Sequence, residues 1–305
     1  MPALTESDIG GLLTHELAAR LVREVVVALG PDARVMPLKG TLVARVYYPA
    51  IWQRPMSDCD VLVLGVSFGA MLARLARAGY QVIKWGRMIG CATVQSPTMR
   101  GLALDLHARP LPVGLGAINA TWLATGARTD VSLFGTSILV PDPRRLLVHL
   151  LGNIIKDHVY RAFPHAVHDI AYVLDAREFT VKEFAATVRE ARLRRGAWMA
   201  LAYVIELTQS PWAAELQAAL ALSRAEIRAA HARLTWLRTW AATEPPPWYA
   251  RVLARAVGDS RFDVAYGLSA AAAGILLAKV RNHHIGQAHR TWEVPTAKSR
   301  DTRSP

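Results

Sequence analysis

Two aspartates, Asp58 and Asp60, open the run DCDVLVL, whose composition predicts a strand closed by Gly65. A side-chain period of two turns both carboxylates to one face, where they can share a cation. Two like charges that close are unfavourable unless a metal or a base compensates them, and hard oxygen donors of this kind suit Mg2+ or Mn2+. A third acid, Asp105, lies in a second apolar run, GLALDLHAR, where a charge needs a reason. His107 shares the face expected for Asp105, a place from which it can orient a metal ligand or touch an acceptor; a histidine satisfied at a strand edge fits the spacing equally. Ahead of the acids, Leu38-Lys39-Gly40 and then Thr41 fall at an expected strand-to-helix turn. Free backbone N–H groups and the helix dipole favour phosphate there, and Lys39 adds a point charge for the same anion.

The runs LKGTLVARVYYP, RPMSDCDVLVL and LALDLH stand in an order and spacing that resembles the uncharacterised nucleotidyltransferases of the polymerase-beta-like superfamily. The likeness covers roughly residues 35–107, with a weaker echo in LLVHLLGNIIKDHVYR and HDIAYVLD. It implies that Gly40 and Thr41 take the place of the superfamily's Gly-Ser phosphate turn, here written Lys-Gly-Thr. It implies too that Asp58, Asp60 and Asp105 hold metal ions, while Ala108 follows His107 where an aromatic is common. By the same resemblance, Asp58 and Asp60 would bind a metal that arrives with an NTP. Asp105 would help hold a second metal that lowers the pKa of an acceptor hydroxyl, and attack on the α-phosphorus would release pyrophosphate. Lys39 and Arg54 would offset charge on the β- and γ-phosphates or the leaving group; Arg54 also fits as a salt-bridge partner that keeps the acids in place. The acceptor is left open among a small hydroxylated molecule, a peptide, a protein and an RNA end.

The elements that must position these residues follow from periodicity. Apolar residues at helical spacing predict a first helix from about Thr5 to Leu29, ended by Gly30-Pro31. Short strand runs and two further helical stretches then continue to about Leu139, including QVIKW, GCATVQ and a helix with Ser67 as its N-cap. From Pro143 onward the pattern is helical throughout, with Gly, Pro and short polar turns as breaks. The expected fold is α+β: a small mixed sheet with flanking helices over residues 1–140, an all-helical domain over 141–284, and a mobile basic tail over 285–305. The apolar run from Val264 to Ala278 stops at Lys279, short of the roughly 18 residues a spanning helix needs, and reads as a buried Ala-rich helix.

Composition narrows the function classes. The 305 residues are 52% hydrophobic, ample for a core. The N-terminus lacks a basic segment followed by a cleavage site, which argues against a secretory signal and for a cytoplasmic protein without a membrane span. Two cysteines, Cys59 and Cys91, without CxxC neighbours argue against a disulfide framework or a zinc site. The net charge of +12 attracts polyanions, nucleotides among them. Within the helical part, His149 and His158 are wrongly spaced for one helix face, so no metal site is expected of them or of Lys156, His165 and His168. Asp169 is expected to cap or pair within that part, and Trp236 and Trp240 to serve packing. Two other readings fit the same residues: a DxD-type transferase of sugars or other phosphate-linked groups, and a noncatalytic nucleotide- or nucleic-acid-binding module.

Overall fold

The computed structural model describes residues 5–86, 90–99, 101–158, 164–240 and 259–291, together with Tyr249, Val252, Leu253 and Val257. Helix α1 (Glu6–Leu29) starts at a capping box: the Thr5 hydroxyl accepts from the Asp8 N–H, and the Asp8 carboxylate accepts from the Thr5 N–H. Its Leu21, Val22 and Val25 are fully buried, so this face closes one side of the sheet. Strand β1 (Arg34–Pro37) runs into α2 (Lys39–Val46), and a single 3-10 turn (Ile51–Gln53) leads to β2 (Asp58–Leu64). Then come α3 (Phe68–Arg77), capped by Ser67, and strands β3 (Gln81–Trp85), β4 (Cys91–Gln95) and β5 (Ala103–His107). The order across the sheet is β1-β2-β5-β4-β3, with β2 and β5 parallel and the other neighbours antiparallel. The parallel pair is central and covered on both faces, as parallel strands require, and from Cys59 to Leu64 β2 is buried without interruption.

After the short helix α4 (Ala120–Ala124) and a two-stranded ribbon, β6 (Arg128–Asp130) and β7 (Ile138–Val140), the chain turns helical at the expected place. Asp142 caps α5 (Pro143–Asn153), with proline at its first turn. The helix ends in a π-helical stretch, Ile154–His158, a geometry often found beside functional sites. Helices α6 (Pro164–Asp175), α7 (Val181–Glu190), α8 (Arg194–Thr208), α9 (Pro211–Ala219), α10 (Arg224–Thr239) and α11 (Arg261–Thr291) follow. One buried apolar cluster continues from α1 and the sheet through α5 into α8 and α10, so α5 is fixed to the sheet by shared core.

Helix α11 corrects two expectations. It is not buried: Phe262, Tyr266, Leu276 and Val280 lie largely in solvent, and its window Val264–His283 is 22% buried and, by length and composition, sufficient to cross a membrane. A seam of small residues, among them Gly267 and Ala271, is what it turns inward; Gly267 meets the backbone of Gly114 so closely that a Cβ on Gly114 would fall 2.0 Å from the Gly267 Cα. Asn282 exchanges two hydrogen bonds with the backbone of Trp85 (2.7 and 3.1 Å), covering an edge strand. The helix also passes Ile285, where the tail was expected to begin, and runs to Thr291; residues 292–305 lie outside the described residues.

Candidate active site

The register of the parallel pair sets Asp60 directly beside Asp105 and Asp58 beside Ala103. Asp60 is buried, and its Oδ1 accepts from Lys39 Nζ at 2.9 Å and meets His107 Nε2 at 2.9 Å. The Asp105 carboxylate accepts from the Thr93 hydroxyl on the neighbouring strand. Asp60, Asp105 and His107 each offer a ligand atom, all within 4.8 Å of one another. Asp58 stands outside that group of three but opens into the same cleft. His107 thus sits against an acid.

The turn before α2 is built more tightly than its sequence suggests. The Leu38 N–H donates to the Asp60 carbonyl (2.9 Å) and the Asp60 N–H donates to the Thr41 hydroxyl (3.1 Å), so both flanks of Lys39-Gly40 are tied to β2. Thr41 therefore spends its side chain on bracing the strand. Lys39 itself has φ +48, a left-handed conformation that costs a non-glycine residue on the order of 1–3 kcal/mol. In that conformation its ammonium reaches Asp60 in an ion pair.

Electrostatics follow from this packing. Burial opposes ionisation of Asp60, but Lys39 and His107 outweigh it and hold the carboxyl far below the ordinary carboxylate range. Asp58 is pushed up to about 6, by burial first and then by the charge of Asp60. Burial also opposes protonation of His107, yet Cys91 and Asp60 beside it raise it to about 9. The donor set fits a divalent cation: two carboxylates converge with His107 beside them, able to ligate only once it gives up its proton, and next to them stands Asp58, whose ionisation a cation would favour.

Facing the strands, α5 and α6 form the other wall of a cleft of about 350 Å³, lined on this side by Leu150, Asn153, His165, Ala166 and Asp169. Asp169 corrects the expectation of a partner within the helical part. Its carboxylate accepts from Arg54 Nε (2.8 Å) and Nη2 (3.0 Å) and from the Tyr48 hydroxyl (2.9 Å), a bridge between the two halves of the chain. Arg54 is therefore a salt-bridge partner, though of Asp169 and not of the strand acids. His15 Nε2 bonds the Arg54 carbonyl at 2.8 Å, and the guanidinium lies against Gly40, where a Cβ would come 2.7 Å from its Cζ. A Cβ at position 40 would have to displace that guanidinium.

Lys39, Gly40, Thr41, Arg54, Asp58 and Asp60 all line this one cleft, while Asp105 and His107 stand behind Asp60. Sequence reasoning missed Asn153 and misplaced the partner of Asp169. The signal for Asp169 was present: an acid in the apolar run HDIAYVL poses the same question as Asp105. A family model described as uncharacterised nucleotidyltransferase matches residues 12–209, spanning the sheet and the helices that face it. No curated protein matches the chain.

Proposed function

The chain belongs to the uncharacterised nucleotidyltransferase family, and from that premise we propose that it transfers an NMP from an NTP to a hydroxyl-bearing acceptor, with release of pyrophosphate. The observation that carries the reading is the pairing of Asp60 with Asp105 on parallel strands, beside Asp58 and directly under the N-terminus of α2. Asp58, Asp60 and Asp105 would hold Mg2+ or Mn2+, which when bound supplies charge neutralisation at the phosphates and lowers the pKa of the acceptor hydroxyl. The Gly40 backbone and Lys39 take the triphosphate at the head of α2, where N–H groups and the helix dipole favour anions. His107 keeps the Asp60 carboxylate oriented. Arg54, anchored by Asp169, fixes the floor on which the phosphates lie and contributes positive charge beneath them.

In the transfer, the acceptor hydroxyl gives up its proton to solvent, its oxygen forms a bond to the α-phosphorus, the bond from that phosphorus to the bridging oxygen breaks, and the electron pair leaves with pyrophosphate. The acceptor enters the same cleft, between the sheet half (residues 1–140) and the helical half (141–284). Proximity and electrostatics supply most of the acceleration in such a reaction. A cytoplasmic location, where NTP and Mg2+ are plentiful, fits this chemistry. Product analysis tests it. Incubation of the protein with α-labelled NTP, Mg2+ or Mn2+ and pooled hydroxylated acceptors is expected to give pyrophosphate and a labelled acceptor. Turnover of a nucleotide-sugar yielding nucleoside diphosphate, with no labelled acceptor from any NTP, would favour DxD-type sugar transfer instead.

A further inference from the structure

Helix α11 turns one side to the protein and leaves the other to solvent. Its buried positions are Gly267, Ala271, Gly274 and Ala278, a single line of small residues. Both ends of the segment are fixed to the body. The Asp259 carboxylate, just ahead of the helix, accepts from the Arg194 and Arg195 N–H groups at the start of α8 (3.0 and 3.2 Å), and Asn282 pairs with the Trp85 backbone. The Arg281 guanidinium lies 4.7 Å from the centroid of the Trp85 ring.

The opposite line carries the large apolar side chains. Phe262, Tyr266, Leu276, Leu277 and Val280 follow one another at helical spacing, with Ser269 and Ala273 exposed between them. Phe262 and Leu276 are 75% and 66% exposed, and the rings of Phe262 and Tyr266 stack on each other in solvent. At a rise of about 1.5 Å per residue the line is about 27 Å long. Single exposed apolar residues need no explanation, but a continuous row of this length marks a contact surface.

Charge narrows the occupant. Arg261 and Lys279 on one side and Arg281 on the other border the line, all three exposed. Between Ser260 and Trp292 the sequence sets these three and Arg290 against one acid, Asp263. A second copy laid antiparallel on the line would bring Arg261 against Lys279 and Arg281, and would join two chains that each carry +12. A nucleic acid would meet the charge but leave Leu276, Leu277 and Val280 in water. An anionic lipid surface meets both, with acyl chains for the apolar line and negative headgroups for its borders. By length the helix is also sufficient to cross a bilayer, but its inward seam and its anchors at Asp259 and Asn282 hold it flat against the body.

We infer that α11 docks the protein on an anionic membrane surface: the helix lies in the plane of the interface, with Phe262, Tyr266, Leu276 and Val280 at the boundary of headgroups and acyl chains and with Arg261, Lys279 and Arg281 on the headgroups. The inference stands independently of the transfer reaction.

Co-sedimentation of the full chain tests it, with vesicles of phosphatidylcholine alone and of phosphatidylcholine carrying about one-third phosphatidylglycerol. Wild type is expected to bind the anionic vesicles about tenfold or more tightly than the neutral ones. Phe262→Glu/Leu276→Glu, which changes two solvent-facing side chains, is expected to weaken anionic binding about tenfold or more with an unchanged unfolding temperature. Lys279→Ala is expected to weaken it about fivefold and to leave neutral vesicles unaffected, and it carries the test should the double variant fail to fold. A wild type that binds neither vesicle or both alike would overturn the inference, as would undiminished binding by the folded variants. A wild-type dimer in sedimentation that the double variant converts to monomer would overturn it in favour of a second copy on this face.

Discussion

On the strand wall of the cleft, Asp60 has Lys39 and His107 at 2.9 Å and Asp105 has a hydroxyl donor; on α5, across from it, His149 and Asn153 have buried polar atoms with no partner. Asp60 and Asp105 are held in place before any substrate arrives, as electrostatic preorganisation requires. The helix instead keeps hydrogen-bonding capacity in reserve. One bridge joins the two walls, the fork of Arg54 on Asp169, reinforced by Tyr48. The difference is one of constraint: side chains of the strand wall tie Asp60 and Asp105 in place, whereas α5 buries polar atoms that no protein group pairs.

Breaking the bridge is expected to have the largest effect on stability. Arg54 and Asp169 are 15% and 3% exposed at their side chains, so Asp169→Ala strands a buried guanidinium and should cost about 3–5 kcal/mol, read from denaturant unfolding. The double variant Asp169→Ala/Arg54→Met should recover much of that loss, since it removes the uncompensated charge; no recovery would mean that the pair does more than join the walls. Gly40→Ala should have a smaller effect. Its new Cβ would press into the Arg54 guanidinium, so a loss of about 1–3 kcal/mol is expected, together with weaker tripolyphosphate binding. A variant as stable as wild type with full phosphate affinity would show that Arg54 is free to move aside.

The strand wall was legible in the sequence because its information is local. DCDVLVL and LALDLH announce strands through their apolar content, and acids within them stand out. The register that brings Asp60 beside Asp105 follows once β2 and β5 are neighbours. The bridge was not legible: Arg54 and Asp169 are 115 residues apart in the chain, and nothing local says that an acid on a helix faces an arginine in a loop. Nor could composition say which side of α11 meets the protein. Its inward seam is made of small residues that allow close backbone approach, while its larger apolar side chains point to solvent, the reverse of the pattern from which a buried helix is usually inferred. Asn153 escaped notice because an unpaired amide has no signature until its surroundings are known.

The central claim is that the strand acids form a metal-dependent nucleotide site, and calorimetry of NTP binding with and without Mg2+ or Mn2+ tests it most directly, in wild type and in Asp58→Asn/Asp60→Asn with unfolding measured alongside. Metal-dependent binding of at least one NTP by wild type, lost in a folded double variant, is the expected result. Binding that persists in the variant, or its absence for every NTP in wild type, would contradict the claim.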